Sequence, residues 1–255
     1  MTTQNKSTVK TTQKTFEIIH ALQELDGARI DELSEYLDMA SSTVHRHVQT
    51  LYEIGYITKE GDHYHLGIRF LTLGGHAQIR LPAFDLAKEK VDQIAVETNE
   101  RAQFIIEDNG ERVYVYTQAG ANAVQTDATI GKRGPIHASA AGKAILAALP
   151  EPECKAIIGT EPLEVVTPHT ITDPEALYEE LETVRERGVA FNDQESTVGL
   201  RAVAAAISGA DGRVHGALSI AGPAHRIKGD LFRSEIPDLL LAVTNEIELK
   251  LEYAQ

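Results

Sequence analysis

The chain has 255 residues, 42% of them hydrophobic, which is enough to bury a sizeable core, and its length suits two domains better than one. No run of about 18 apolar residues occurs, and the N-terminal stretch MTTQNKSTVK lacks the apolar centre of a signal peptide, so neither a membrane span nor export is expected and the protein reads as cytoplasmic. The net charge of −14 is unevenly spread: residues 1–80 hold 8 Lys plus Arg against 10 Asp plus Glu, a net of −2, which leaves −12 for the other 175 residues.

An acidic chain repels phosphate, so any contact with nucleic acid must come from a local patch. The nearly neutral N-terminal third also holds six of the ten histidines, at positions 20, 45, 47, 63, 65 and 76. The single cysteine, Cys154, excludes an internal disulfide and a cysteine metal cluster, and reads as an inert buried thiol. Acidity with only 11 lysines suits a salt-rich cytoplasm.

In chain order, residues 11–25 (TTQKTFEIIHALQEL) place Phe16, Ile19 and Leu22, or Ile18, Leu22 and Leu25, at three- and four-residue spacings. That predicts an amphipathic helix, ended by Gly27. RIDELSEYLDM repeats the pattern with Ile30, Leu33 and Leu37, and Asp31 and Glu32 suit the positive first turn of a second helix. MASSTVHRHVQTLYEIGYI follows after a short turn. Ser41 or Ser42 is its candidate N-cap, and Val44, Val48, Leu51 and Ile54 form its buried stripe. GYITKEGDHYHLG then reads as two short strands around Glu60-Gly61-Asp62.

Three short helices and a β-hairpin make a winged helix-turn-helix. With the apolar stripe inward, Ser42, Thr43, Arg46 and Gln49 face outward, where they can bond base edges or phosphate oxygens. A merely solvated helix face would show the same pattern. His63 and His65 alternate along the wing, but two histidines without Cys or a carboxylate cluster read as solvated, so no metal is expected.

Residues 68–80 (IRFLTLGGHAQIR) form a linker in which Gly74-Gly75 is a candidate bend, and LPAFDLAKEKVDQIAVETN opens a helix of a second domain. RAQFIIEDNGERVYVYTQ gives strands from Ala102 to Glu107 and Arg112 to Gln118 around an Asp-Asn-Gly-Glu turn. HASAAGKAILAAL is helical. TDPEALYEELETVRERG is a helix capped by Asp173, with Pro174 in its first position and Gly188 at its close. GVAFN, LRAVAAAIS and RVHGALSIAG read as strands, the last two joined through Asp211-Gly212, and a final helix runs from about Arg233 to Glu252. Hairpins rather than regular crossovers indicate an antiparallel α+β domain.

Enzyme signatures are lacking. HASAAGKA has His137 where a phosphate-binding loop needs its first Gly, and Ala144 in place of the Mg-coordinating Ser or Thr. No G-x-S-x-G, G-x-G-x-x-G or H-E-x-x-H occurs, and Lys143, early in its helix, reads as structural. The chain is therefore read as a non-enzyme without a cofactor.

SSTVHRHVQTLYEIGYI, followed by a hairpin and LGIRFLTLG, closely resembles the recognition helix, wing and linker of the IclR family of transcriptional regulators. Ala40 and Ser41 stand where that family often has a Pro and a basic residue. GPIHASAAGKA at 134–144, ESTVGLRAVAAAI at 195–207 and LSIAGP at 218–223 resemble the family's GAF-like effector domain, so both halves match in order. The resemblance implies a winged helix-turn-helix domain over 1–67, a linker helix over 68–81 and an effector-binding α+β domain over 82–255. It implies a ligand-responsive regulator of a carbon-catabolism operon, acting on double-stranded operator DNA as a homodimer or dimer of dimers. The alternatives are a ligand-independent DNA-binding protein and a GAF-type module without DNA function.

On that reading Arg46 leads the DNA contacts, supported by Ser41, Ser42, Thr43, His45 and Gln49, while His63 and Tyr64 of the wing touch the flanking backbone or minor groove. The family's effector pocket maps onto Gly134, Ala140, Ala141, Asn192, Leu200, Ala202, Ser219 and Ala221. Family members that bind small oxo-acids tend to have an acid, a Cys and a second Ser where this chain has Asn192, Ala202 and Ala221. The implied site is roomier and less polar, with Asn192 and Ser219 orienting a hydroxyl or carboxylate and the backbone amides of Ala140 and Ala141 receiving an anion. The implied effector is a small organic, sugar or aromatic acid. Glu195 and Arg201 read as a structural pair.

Overall fold

The computed structural model describes residues 8–253. Most of the N-terminal stretch read above for an export signal lies outside the described residues. The chain divides into two compact units, with the boundary between Ala77 and Gln78.

The first unit holds helices α1 (Lys10–Glu24), α2 (Ile30–Tyr36) and α3 (Ser41–Glu53) and the hairpin β1 (Ile57–Glu60) and β2 (His63–Leu66). Its core is Ile18, Leu22, Leu33, Val44, Val48, Leu51, Ile57 and Tyr64. Ile18, Ile19 and Leu22, drawn from both stripes expected on α1, are buried, while Phe16 and Leu25, the end of each, are 52% and 38% exposed. Ile54, expected in the α3 stripe, is 47% exposed, because α3 has already ended at Glu53 and the chain turns away at Ile54. The wing is tied to the turn between α1 and α2 by a reciprocal pair of backbone bonds between Ala28 and Tyr64, at 2.9 and 3.0 Å. Helix α4 (Arg69–Ile79) runs unbroken through Gly74 and Gly75 and so corrects the expected bend. Two helical glycines weaken a helix by about 1 kcal/mol each, which is not enough to break it.

The second unit is built on one antiparallel sheet of six strands, in the order β5-β4-β3-β8-β7-β6. The strands are β3 (Arg101–Asp108), β4 (Glu111–Ala119), β5 (Arg133–Pro135), β6 (Ala190–Asp193), β7 (Leu200–Ser208) and β8 (Val214–Pro223). The helices are α5 (Phe84–Thr98), α6 (Ala140–Ala148), α7 (Glu151–Ile158), α8 (Pro174–Arg187) and α9 (Ile236–Tyr253). The β3–β4 hairpin turns at Asn109-Gly110, both with positive φ, as the Asp-Asn-Gly-Glu signal predicts. Side chains alternate along each strand. Val203, Ala205 and Ile207 of β7 join Phe104, Leu218 and Leu240 in a core under α5 and α9, while Ala204 joins Ala217, Ile145, Leu177 and Leu181 in a second core under α6 and α8.

Helix α6 sits very close to its neighbours, which explains its small residues. A Cβ on Gly142 would lie 1.8 Å from the Ile136 carbonyl oxygen. Ser139 caps α6, its Oγ accepting from the Gly142 amide at 3.0 Å. Asp173 caps α8 by accepting from Ala176, and Gly188 closes it at φ 76°. Two elements were absent from the sequence reading, β5 and α7; α7 carries Cys154, which is 1% exposed and whose thiol burial pushes above its ordinary value.

Candidate DNA-reading face and effector cavity

On α3 the apolar stripe turns Ser41, Ser42, His45 and Arg46 to solvent, with Thr43 and Gln49 half-buried. Among the described residues no carboxylate pairs with Arg46, so its guanidinium is available. Among the described residues no side chain caps α3. Ala40 occupies the cap position in extended conformation, and Ser41 is the first helical residue, its Oγ donating to Ser34 Oγ at 3.1 Å. Gln49 donates to Glu53 at 3.0 Å, a bond it must exchange before reading a base. His47 is drawn inward instead, its Nδ1 lying 2.8 Å from Thr15 Oγ1 of α1. Burial, then the nearby Arg46 and Lys14, holds the His47 imidazole below its ordinary pKa.

In the wing, His63 is partly exposed and paired with Asp62 at 2.8 Å. Tyr64 is only 7% exposed and belongs to the core, which corrects its assignment as a DNA contact. The reason is register: on a strand whose neighbours His63 and His65 face outward, Tyr64 must face inward. One further feature escaped the sequence reading. Lys10, Lys14 and Thr15 of α1 share a groove with Thr43, Arg46, His47 and Thr50 of α3, and the four-residue spacing of the two lysines was its available signal.

In the second unit, Gly134, Ala140, Ala141, Asn192, Leu200, Ala202, Ser219 and Ala221 all line one cavity of about 300 Å³. It lies between the sheet and the N-terminal end of α6, whose first amides, at Ala140 and Ala141, have no acceptor within the helix. Asn192 is 2% exposed, but its amide is committed: Nδ2 donates to Ala138 O at 2.9 Å and Ser196 Oγ at 3.0 Å, while Oδ1 accepts from the Glu195 amide at 2.9 Å. It therefore shapes the wall rather than offering a free group, contrary to the expected ligand-orienting role.

The expected Glu195–Arg201 pair does not form. Glu195 instead binds Lys143, whose Nζ donates to both carboxylate oxygens at 2.7 and 2.8 Å in a buried bridge. Arg201 pairs with Asp193, at 2.8 and 2.9 Å. Adjacent strand residues face opposite ways, and β7 directs Arg201 back toward its register partner Asp193 on β6.

The cavity also has lining that the sequence reading missed: Arg101 and Gln103 from β3, Arg112 and Tyr114 from β4, and Thr126 from the loop before β5. Arg112 Nε and Nη1, Arg101 Nε and Thr126 Oγ1 are buried with no hydrogen-bond partner among the described residues. Burial of unpaired donors is disfavoured, and such atoms mark where an acceptor binds. Gly134 makes room for one of them, since a Cβ there would meet Arg112 Nη2 at 2.9 Å.

A winged helix-turn-helix joined in one chain to a cavity-bearing antiparallel α+β domain is the architecture of a transcriptional regulator with an effector-binding domain. Residues 11–61 match the IclR helix-turn-helix domain, and residues 76–249 match the C-terminal domain of bacterial IclR transcriptional regulators. The chain belongs to the IclR family. It is 34% identical over 242 residues to a protein of Halobacterium salinarum described as a probable HTH-type transcriptional regulator ArcR, spanning 93% of this chain and 92% of the relative. It is 29% identical to the HTH-type transcriptional regulator KipR of Bacillus subtilis, over 96% of this chain and 98% of that protein. The crystal structure of Thermotoga maritima IclR superposes with a TM-score of 0.82 at 29% identity, covering 96% of this chain and 99% of that one. No helix among the described residues is long and apolar enough to cross a membrane.

Proposed function

We propose that this regulator reads double-stranded operator DNA as a homodimer, with Arg46 of α3 as the leading base contact and Ser41, Ser42, Thr43, His45 and Gln49 around it. His63 of the wing reaches the flanking backbone. One short recognition helix covers too few base pairs for specificity, and two-fold pairing matches a palindromic site. Exposed apolar side chains on and beside α4, with Ile68 at 82%, Leu71 at 67% and Ile79 at 66%, supply a face for a second copy. A domain arrangement of 1–67, a linker helix over 68–81 and 82–255 fits this division of labour.

In the same reading, a small organic, sugar or aromatic acid of central metabolism enters the second unit's cavity and changes operator occupancy, and the chain works in the cytoplasm on a catabolic operon. The observation that carries this is the convergence of all eight family-implied positions, together with unpartnered guanidinium donors, on one cavity. A thermal-shift screen of metabolic acids, followed by anisotropy of labelled operator with and without each hit, tests it. An Ala202→Leu or Ala221→Leu plug should remove both the shift and the change in operator binding. A response that survives both plugs would place the ligand elsewhere.

A further inference from the structure

Five cationic residues contribute to the cavity lining: Arg101, Arg112, Lys132, Arg133 and Arg201. Three are neutralised by protein carboxylates. Lys132 binds Asp127, Arg133 binds Asp108 and Glu111 at 2.7 and 2.6 Å, and Arg201 binds Asp193 at 2.8 Å. Among the described residues no carboxylate pairs with Arg101 or Arg112, and these are the two whose donors are buried without partners. Arg101 is anchored on one edge only, through Thr117 Oγ1 at 3.4 Å and the Val124 carbonyl at 3.0 Å. Arg112 lies over the Tyr114 ring, 4.9 Å from its centroid, which fixes its plane without satisfying its N–H groups.

The two stand far apart along the sheet. Arg112 pairs across β3 with Glu107, six positions from Arg101, or roughly 20 Å of strand at about 3.3 Å per residue before the side chains lean inward. Along β3 between them stand Gln103 and Ile105, with Ser219 opposite Gln103 and with Ala221 and Ala202 level with Arg101, and none of these carries a charge. Two uncompensated cations at opposite ends of an uncharged trough call for a ligand with an anion at each end. Guanidinium groups favour the planar, two-oxygen geometry of carboxylate.

Resting on the acid-sensing reading above, we propose that the cavity selects a dicarboxylate. One carboxylate binds Arg112 beside Gly134; the other binds Arg101, with the Thr126 hydroxyl as a further donor. A monoacid leaves one buried cation unpaired and is discriminated against on that ground.

The test is calorimetric titration of the full-length protein with glutarate, adipate, pimelate, suberate and terephthalate, each against its matched monoacid, with 3-phosphoglycerate as a phosphorylated acid. At least one diacid should bind about tenfold or more tighter than its monoacid, and Arg112→Gln and Arg101→Gln should each remove most of that preference. Because both substitutions delete an unpaired buried charge, the ligand-free melting temperature should hold or rise. A clear fall would mean that these arginines are structural and would overturn the proposal. Equal binding of diacid and monoacid, unchanged in both variants, overturns the dicarboxylate while leaving the acid-sensing reading standing. Preferred binding of the phosphorylated acid overturns it in the same way. No binding of any acid by the wild-type chain overturns both.

Discussion

On α3 the groups proposed to meet DNA stand in water: Ser41, Ser42, His45 and Arg46 are exposed above a thin core shared by three helices and a hairpin. In the second unit the corresponding groups, Arg101, Arg112 and Thr126, hold buried donors with no partner among the described residues, inside a sheet with a packed core on each face. An exposed site is solvated before its ligand arrives, so folding proceeds without reference to it. A buried unpaired site carries an unfavourable desolvation term that a bound acceptor relieves. Substitutions should therefore separate: those on α3 alter binding alone, while those around the cavity alter stability as well.

The largest effect should come from the charge pair behind the cavity wall. Lys143→Ala leaves the Glu195 carboxylate buried without its partner, and loss of one member of a buried bridge costs about 3–5 kcal/mol. Denaturant unfolding of the full chain measures it, and a loss near zero would mean that water reaches Glu195. Next, Arg46→Ala should weaken operator binding by about tenfold or more, the equivalent of a bidentate guanine contact at about 1–3 kcal/mol. The unfolding midpoint should stay unchanged. A matching fall in stability would break the contrast, since it would make Arg46 part of the fold.

Tyr64 sharpens the comparison from the other side. As a core residue rather than a DNA contact it should tolerate Tyr64→Phe with operator affinity intact, and a tenfold loss would return it to the interface. On the edge strand β6, Asp193→Asn breaks a half-exposed pair with Arg201, for which a loss of no more than about 1 kcal/mol is expected in the same unfolding assay.

The smallest effect is a slope with pH. Burial lowers the folded-state pKa of His47 beneath its ordinary 6.5, so the unfolded chain binds more protons in the window just below that value. Stability of the first unit should be complete above pH 6.5 and decline as the pH falls through it. Unfolding curves of the wild type and His47→Gln on either side of that value would show this, the variant losing part of the slope.

Where a structural cause is local, the sequence carried it. Asp173, Pro174 and Gly188 mark both ends of α8 because caps are made by neighbouring residues, and Asn109-Gly110 marks its hairpin for the same reason. Where the cause joins distant segments it was hidden. The bridge between Lys143 and Glu195 spans 52 positions, and neither residue advertises the other. Arg112 read only as the first residue of a strand, and nothing local marks the cavity it shares with Thr126 of the loop before β5. The positions of the effector site were legible through resemblance, but the condition of their side chains was not: Asn192 stands where expected with its amide already used. Tyr64 and Ile54 failed for a smaller reason, one strand register and one residue of helix length.

The sparse positive charge of the reading face has a consequence for how this regulator finds its target. Arg46 is the one cation within α3, joined in its groove by Lys10 and Lys14 of α1, on a chain whose net charge is −14. Non-specific attachment to a genome is driven by counterion release from phosphates, and its strength scales with the number of cations brought to the backbone. Few cations mean short, weak encounters with random DNA, so few copies are held up on the vast excess of irrelevant sites. The cellular copy number needed to keep one operator occupied should be correspondingly low, and the time lost between wrong sites should be short even in a crowded nucleoid.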